Sequence, residues 1–253
     1  MVETRHIDGR AATFRHDAGR GPALICVHGS ADNHHVYDRL LDAMPDRERY
    51  AINLPGRAGT EGAALENVAE MEAFLSRFIE AEVQGHYLLI GHSLGGGVAI
   101  EHALASRSER LKGIVLLATG ARLRVHPMIL QLFEQVMVSG ASIPPLPPGL
   151  YEQDTDPLLI AEASKHRELT PIETGGADWK AADSFDRMQD LARIQVPALI
   201  VAGTNDALTP PKYAQYLASQ IPHNELCILE GAGHMLVTER VAELADCIGS
   251  LAS

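Results

Sequence analysis

The sequence predicts an α/β fold: a largely parallel sheet with helices on both faces, interrupted by one helical insertion. Three observations carry this prediction. Short continuous apolar runs alternate with helix-periodic stretches, the pattern of strands buried on both faces. A glycine-flanked serine sits where one such run passes into a helix-forming stretch. The alternation lapses between residues 121 and 185 and then resumes.

Residues 3–16 read as two short strands joined at Asp8-Gly9, a strong hairpin turn. Leu24-Ile25-Cys26-Val27 is the first buried strand, and it ends at His28-Gly29. A helix is expected over Val36 to Met44. A strand follows over Tyr50 to Leu54, stopped by Pro55-Gly56. Leu65 to Val83 places apolar residues at helical spacing and reads as a long amphipathic helix. Tyr87 to Ile90 is the next strand, and Val98 to Ala105 a helix. Strands over Gly113 to Leu117, Val196 to Gly203 and Glu225 to Leu229 precede a closing helix over Leu236 to Leu251.

The interruption contains two helical pieces, Pro127 to Val138 and Pro157 to Lys165, around the proline run Ile143 to Pro148. About 60 residues without a parallel strand is too long for a plain loop in a compact domain. A helical insertion is the economical reading, with the proline run as a rigid connector.

Composition excludes several classes. The chain has 253 residues, 46% of them hydrophobic and 21% charged, as in an ordinary globular domain with a full core. With 21 basic and 33 acidic residues its formal net charge is -12, which opposes binding to nucleic acid or to an anionic membrane. No apolar stretch is long enough to span a bilayer, and Met1 to Asp8 lacks a signal-peptide core. Cys26, Cys227 and Cys247 form no CxxC pair, and Cys26 and Cys227 read as buried thiols. A cytoplasmic protein is the expectation.

The chemistry is concentrated in loops that follow strands. Gly91-His92-Ser93-Leu94-Gly95 matches G-x-S-x-G in a strand-to-helix context. A tight turn there exposes the serine at the carboxyl edge of the sheet, beside a helix N-terminus. A serine hydroxyl needs a base. Asp206, after the run Val201 to Gly203, and His234, in Gly231-Ala232-Gly233-His234, supply an acid and a base at the same edge and in the order this fold permits. An oxyanion needs two donors. The backbone N–H groups of Leu94 and Ser30 are the candidates, Gly29 letting the chain turn. His28 reads as structural. His34 and His35 are adjacent, so their side chains need not converge, and they read as a surface turn rather than a cavity wall. No H-E-x-x-H, P-loop or dinucleotide fingerprint is present, so no metal or cofactor is expected.

The chain resembles the α/β-hydrolase superfamily, serine-nucleophile branch, over essentially its full length. The resemblance rests on His28-Gly29, Leu54-Pro55-Gly56-Arg57, Gly91 to Gly96, Gly203-Thr204-Asn205-Asp206 and Gly233-His234. It implies a mostly parallel eight-stranded sheet, with a core of residues 1–120 and 186–253 and a helical cap over 121–185. It also implies a return of the chain from cap to core over Asp190 to Pro197. Asn53 stands where the family usually has aspartate, and Ala58 precedes Gly59. Ser93 sets aside the branches with an aspartate nucleophile, and Gly97 replaces the arginine of the menaquinone-pathway lyase branch.

The resulting expectation is a serine hydrolase that cleaves small to medium neutral carboxylic esters through a Ser93–His234–Asp206 triad and an acyl-enzyme. Its partner is a small-molecule substrate. Three alternatives use the same triad: C–C bond hydrolysis, thioester hydrolysis and acyl transfer. A non-catalytic ligand-binding member of the fold is a fourth reading. Arg57 and Arg122 are single candidates for holding an anionic group. Arg122, Arg124, His126, Lys165, His166 and Arg167 offer scattered positive charge on the cap that a carrier protein would use, although a solvated face explains them as well. Met128, Ile129, Leu132, Phe133, Val136 and Met137 are expected to face the cavity or a partner subunit, and the oligomeric state stays open.

Overall fold

A computed structural model describes residues 1–139 and 150–251. The proline run at 143–148 lies outside them. The eight strands are β1 (Val2–Ile7), β2 (Arg10–Asp17), β3 (Arg20–Val27), β4 (Arg47–Ile52), β5 (Tyr87–His92), β6 (Leu111–Leu117), β7 (Ala198–Gly203) and β8 (Asn224–Leu229). They form one sheet in the order β1-β2-β4-β3-β5-β6-β7-β8. The first hairpin is antiparallel and pairs Ile7 with Arg10 across Asp8 and Gly9, whose φ angles are 54° and 76°. Two consecutive positive φ values match the right-handed twist of the flanking strands. β2 also pairs antiparallel with β4, and every other neighbour is parallel.

Alternation along the strands divides the core in two. Ile25, Val27, Leu89, Ile114, Leu116 and Ile200 point to one face. There they meet α2 (Val68–Glu82), α3 (Leu94–Ala105) and α7 (Pro211–Gln220). Leu24, Cys26, Leu88, Ile90, Val115 and Leu199 point to the other, covered by α1 (Asp38–Asp42), α8 (Leu236–Glu239) and α9 (Val241–Leu251). Each fully buried leucine, isoleucine or phenylalanine contributes about 1.5–3 kcal/mol relative to exposure. On α2 the buried residues Met71, Phe74, Leu75, Phe78 and Ile79 form the stripe read from the sequence.

The departures have local causes. The helix expected over Val36 to Met44 is a 3-10 turn, His34–Tyr37, followed by the short α1. The closing helix is broken at Arg240, which leaves the helical region and donates to Glu152 Oε1 (2.6 Å) and the Glu230 carbonyl (3.1 Å). Cys26 is buried as expected, whereas Cys227 is half-buried, because β8 is the edge strand and no further strand lies beyond it among the described residues. Among the described residues no helix is long and apolar enough to cross a membrane.

Between β6 and β7 lie α4 (Pro127–Ser139), α5 (Pro157–Arg167) and α6 (Ile172–Ser184), which form a helical cap. The sequence pattern missed α6, because Gly175-Gly176 at its centre costs roughly 1 kcal/mol per glycine relative to alanine. Tertiary packing explains the first glycine. A Cβ on Gly175 would lie 3.0 Å from Ala31 Cβ and 3.1 Å from the Phe133 ring. α6 therefore presses directly on the loop after β3.

Candidate active site

The chain reverses its winding direction between β3 and β5, and side chains from several loops converge there, at the carboxyl ends of the strands. Ser93 follows β5 with φ 53° and ψ -118°, a strained conformation for a residue with a side chain. The glycines around it are required by contact. A Cβ on Gly91 would fall 2.1 Å from the Gly95 carbonyl oxygen, and one on Gly95 would fall 2.1 Å from that of Val27. The turn is held by its backbone: Ser93 N–H donates to the Leu117 carbonyl (2.9 Å), while the Ser93 carbonyl accepts from Gly96 N–H (2.9 Å) and Thr119 Oγ1–H (2.7 Å).

Asp206 and His234 come from the loops after β7 and β8 and meet at 2.9 Å between Oδ2 and Nδ1. Asp206 is buried, which by itself would raise its pKa. The charge and hydrogen bond of His234, with the bonds from Thr209, outweigh this and lower it to about 2. An ionised carboxylate only accepts, so Nδ1 is the protonated nitrogen of His234, and in the neutral ring Nε2 carries the lone pair. Leu208 N–H and Thr209 N–H donate to Asp206 Oδ1 at 2.8 Å each, and Thr209 Oγ1–H donates to Oδ2 at 2.7 Å. His92 adds a further support. Its Nε2–H donates to the His234 carbonyl (2.9 Å), and burial beside the His234 ring lowers its pKa to about 3, so it is neutral.

Two cavities meet at Ser93. A wide cleft of about 960 Å³ runs between the cap segment Leu123–Gln135 and the segment Ala207–Tyr213, with Ser30 and Ser93 on its wall. A narrower cavity of about 160 Å³ is lined by Ser93, His234, Leu132, Phe133, Leu150 and Trp179, among others. Met128, Ile129 and Leu132 line the wide cleft, while Met137 packs beside Gly176. Leu94 begins α3, where its N–H is one of the helix's unpaired donors. Ser30 lies on both cavities, and its buried hydroxyl has no partner among the described residues.

Several residues stand elsewhere than the sequence placed them. Arg57 does not face either cavity. It is fully buried and forms a two-pronged pair with Asp178 of α6, at 2.6 Å (Nη1–Oδ2) and 2.8 Å (Nη2–Oδ1). Arg57 Nη1 also donates to the Asp32 carbonyl (3.1 Å), and Asp178 Oδ2 accepts the Ala31 N–H (2.9 Å). The pair thus fixes the loop beyond Ser30, where Ala31 has a φ of +54°. No sequence motif marked Asp178, because its helix was not recognised. Arg122 faces Asp186 at 3.7 Å on the surface, also outside both cavities. Arg167 does line the narrower cavity, but its charge is matched by Asp32 at 3.5 Å. His34 is not a surface residue. It is buried and bonded to Asn53. Asn53 explains its own presence where the family has aspartate: Oδ1 accepts from His34 N–H (2.8 Å), and Nδ2 donates to the Thr13 carbonyl (3.1 Å), which a carboxylate could not do. His28 is buried and bonded within its loop through Gly29.

Replacing Arg57 with alanine is expected to cost about 3–5 kcal/mol, since it leaves a buried carboxylate uncompensated. Replacing the pair together, Arg57→Met with Asp178→Leu, is expected to cost less than that single change. Urea unfolding measures both, and a loss below about 1 kcal/mol for Arg57→Ala would contradict a structural role for the pair.

The model of the alpha/beta hydrolase family matches residues 24–247. The chain belongs to the α/β-hydrolase family. Among its relatives is a pimeloyl-[acyl-carrier protein] methyl ester esterase of Nitrosomonas europaea, 25% identical over 92% of this chain and 96% of that one. Among solved structures, a thermophilic esterase is 28% identical with a TM-score of 0.83, covering 99% of this chain and 97% of its own. An esterase from Exiguobacterium antarcticum shares the fold at a TM-score of 0.86 and 16% identity, with 98% of this chain and 97% of that chain covered. The chain thus shares its family with hydrolases and its fold with esterases.

Proposed function

We propose that Ser93, His234 and Asp206 hydrolyse carboxylic esters through an acyl-enzyme. The observation that carries this reading is the Asp206–His234 pair opening onto the same cavity as the strained Ser93. His234 Nε2 takes the Ser93 proton as Oγ attacks the carbonyl carbon. The carbonyl π pair moves to oxygen, and the Leu94 and Ser30 N–H groups stabilise that oxyanion. As the tetrahedral intermediate collapses, the C–O bond to the alcohol breaks and His234 returns the proton to the leaving oxygen. Water repeats the sequence and releases the acid.

His234 lines the narrower cavity, so the leaving alcohol belongs there and the acyl chain in the wide cleft. A small alcohol on a larger acid agrees with the methyl ester in the name of the Nitrosomonas relative. Arg124, His126 and Lys212 on the cleft wall favour a second reading, in which the acyl chain ends in an anionic or carrier-bound group. C–C hydrolysis of a ring-opened acid is disfavoured where its carboxylate would sit in the narrower cavity, because Arg167 there is already paired with Asp32. The three free thiols fit a reducing, cytoplasmic setting.

The test is a panel of p-nitrophenyl esters from C2 to C16, run beside a vinylogous diketone acid and beside methyl and octyl esters of one acid. The expected result is the highest kcat/KM for short to medium acyl chains, with methyl preferred over octyl. A maximum at C12–C16, or diketone cleavage orders of magnitude faster than any ester, would contradict the proposal.

A further inference from the structure

Away from the catalytic cavities, α5 rests on the core through a column of imidazoles. His34 and His35 rings lie 3.9 Å apart between centroids, and His35 stacks on His166 of α5 at 4.2 Å and 20°. His35 Nδ1 is 2.6 Å from Asp38 Oδ2. One ligand atom from each of His35, Asp38 and His166 lies within 4.8 Å of the other two. All three side chains are half-buried, and they share a small cleft with Glu162, one turn before His166 on α5. None of them lines either cavity at Ser93.

We propose that His35, Asp38 and His166 form a binding site for a divalent transition-metal ion, zinc or nickel by donor type, that clips the cap to the core. Two imidazoles and a carboxylate are a donor set that such ions favour over magnesium or calcium. In a tetrahedral zinc site with bonds of about 2.0–2.1 Å, ligand atoms stand about 3.3–3.4 Å apart. His35 and Asp38 are already closer than that, held by a hydrogen bond whose proton leaves Nδ1 when the metal takes it, moving to Nε2 of a neutral ring or to solvent from a protonated one. His166 must approach by no more than about 1.5 Å, which rotation of a half-buried ring permits. Arg15 Nη1 occupies Asp38 Oδ1 at 3.0 Å and leaves Oδ2 for the ion. Glu162 or water completes the coordination; Arg39 and Arg167 are the cations in the same cleft that oppose it, Arg167 already facing Asp32.

The consequence follows from how α5 is held. None of its residues is buried, so polar contacts at this seam anchor it. Asn33 Nδ2 donates to the His166 carbonyl (2.8 Å), and Arg167 faces Asp32 in the loop that carries Ser30. A metal on His166 would tie α5 to that loop without entering the reaction.

Isothermal titration of chelator-stripped protein with zinc chloride and with nickel chloride tests the site, together with hydrogen exchange of α5 amides. The wild type and the exposed-histidine control H223Q are expected to bind one equivalent, with slower exchange in α5. H166Q and H35Q are expected to lose at least about tenfold in affinity, the minimum for disturbing a metal's coordination. H166Q changes a half-buried position outside both core clusters, and circular dichroism checks its fold. Absence of binding at millimolar zinc, or equal affinity in H166Q, H35Q and the wild type, would overturn the proposal.

Discussion

Ser93→Ala is expected to lower kcat by about six orders of magnitude while leaving the fold intact, the scale seen when a triad serine is removed. The fold survives because the elbow is held by backbone bonds, from Ser93 N–H to Leu117 and from Gly96 and Thr119 to the Ser93 carbonyl, which alanine retains. Alanine at φ 53° carries about the same strain as serine. What is lost is the attacking oxygen. A residual rate of about 10³–10⁴ over water is expected to remain, because the oxyanion donors and the cavity persist. Burst kinetics with p-nitrophenyl butyrate, beside circular dichroism, measures this. Retention of most of the wild-type turnover would remove Ser93 from the mechanism.

Asp206→Asn is expected to lower kcat by about 10⁴-fold, with stability little changed. The reason lies in the four hydrogen bonds the carboxylate accepts. Leu208 N–H and Thr209 N–H fill Oδ1, so an asparagine carbonyl is drawn to that side. Its NH₂ then faces His234 Nδ1 and Thr209 Oγ1, where Oδ2 accepted before. Two donors cannot face each other, so Nδ1 becomes the acceptor and the imidazole proton moves to Nε2. The base is then blocked toward Ser93, and the imidazolium loses its counter-charge. A fall below tenfold would assign the acid to another residue.

The legible and illegible parts of this molecule differ in how local their causes are. The elbow was readable because its spacing is a local pattern between a strand and a helix, and Gly91 answers Gly95 four residues on, although Gly95 itself answers Val27 on the neighbouring strand. Asp206 and His234 were readable because each follows an apolar strand, and a parallel sheet brings such loops to one edge. The sheet's two faces followed from alternation alone. Asp178 and α6 were not readable. Gly175 answers Ala31 and Phe133, far away in the chain, so local propensity pointed against the helix that tertiary packing requires. Arg57 looked like a free cation because nothing near it in sequence revealed its partner. The division into a narrow and a wide cavity depends on how the cap sits over the sheet, which no local pattern encodes.

The most direct test of the central claim is labelling with a fluorophosphonate, located by tandem mass spectrometry, with Ser93→Ala alongside. The account predicts one equivalent of label on Ser93 in the wild type and none in the variant. A folded wild-type protein that stays unlabelled, or one labelled at another residue, would contradict it.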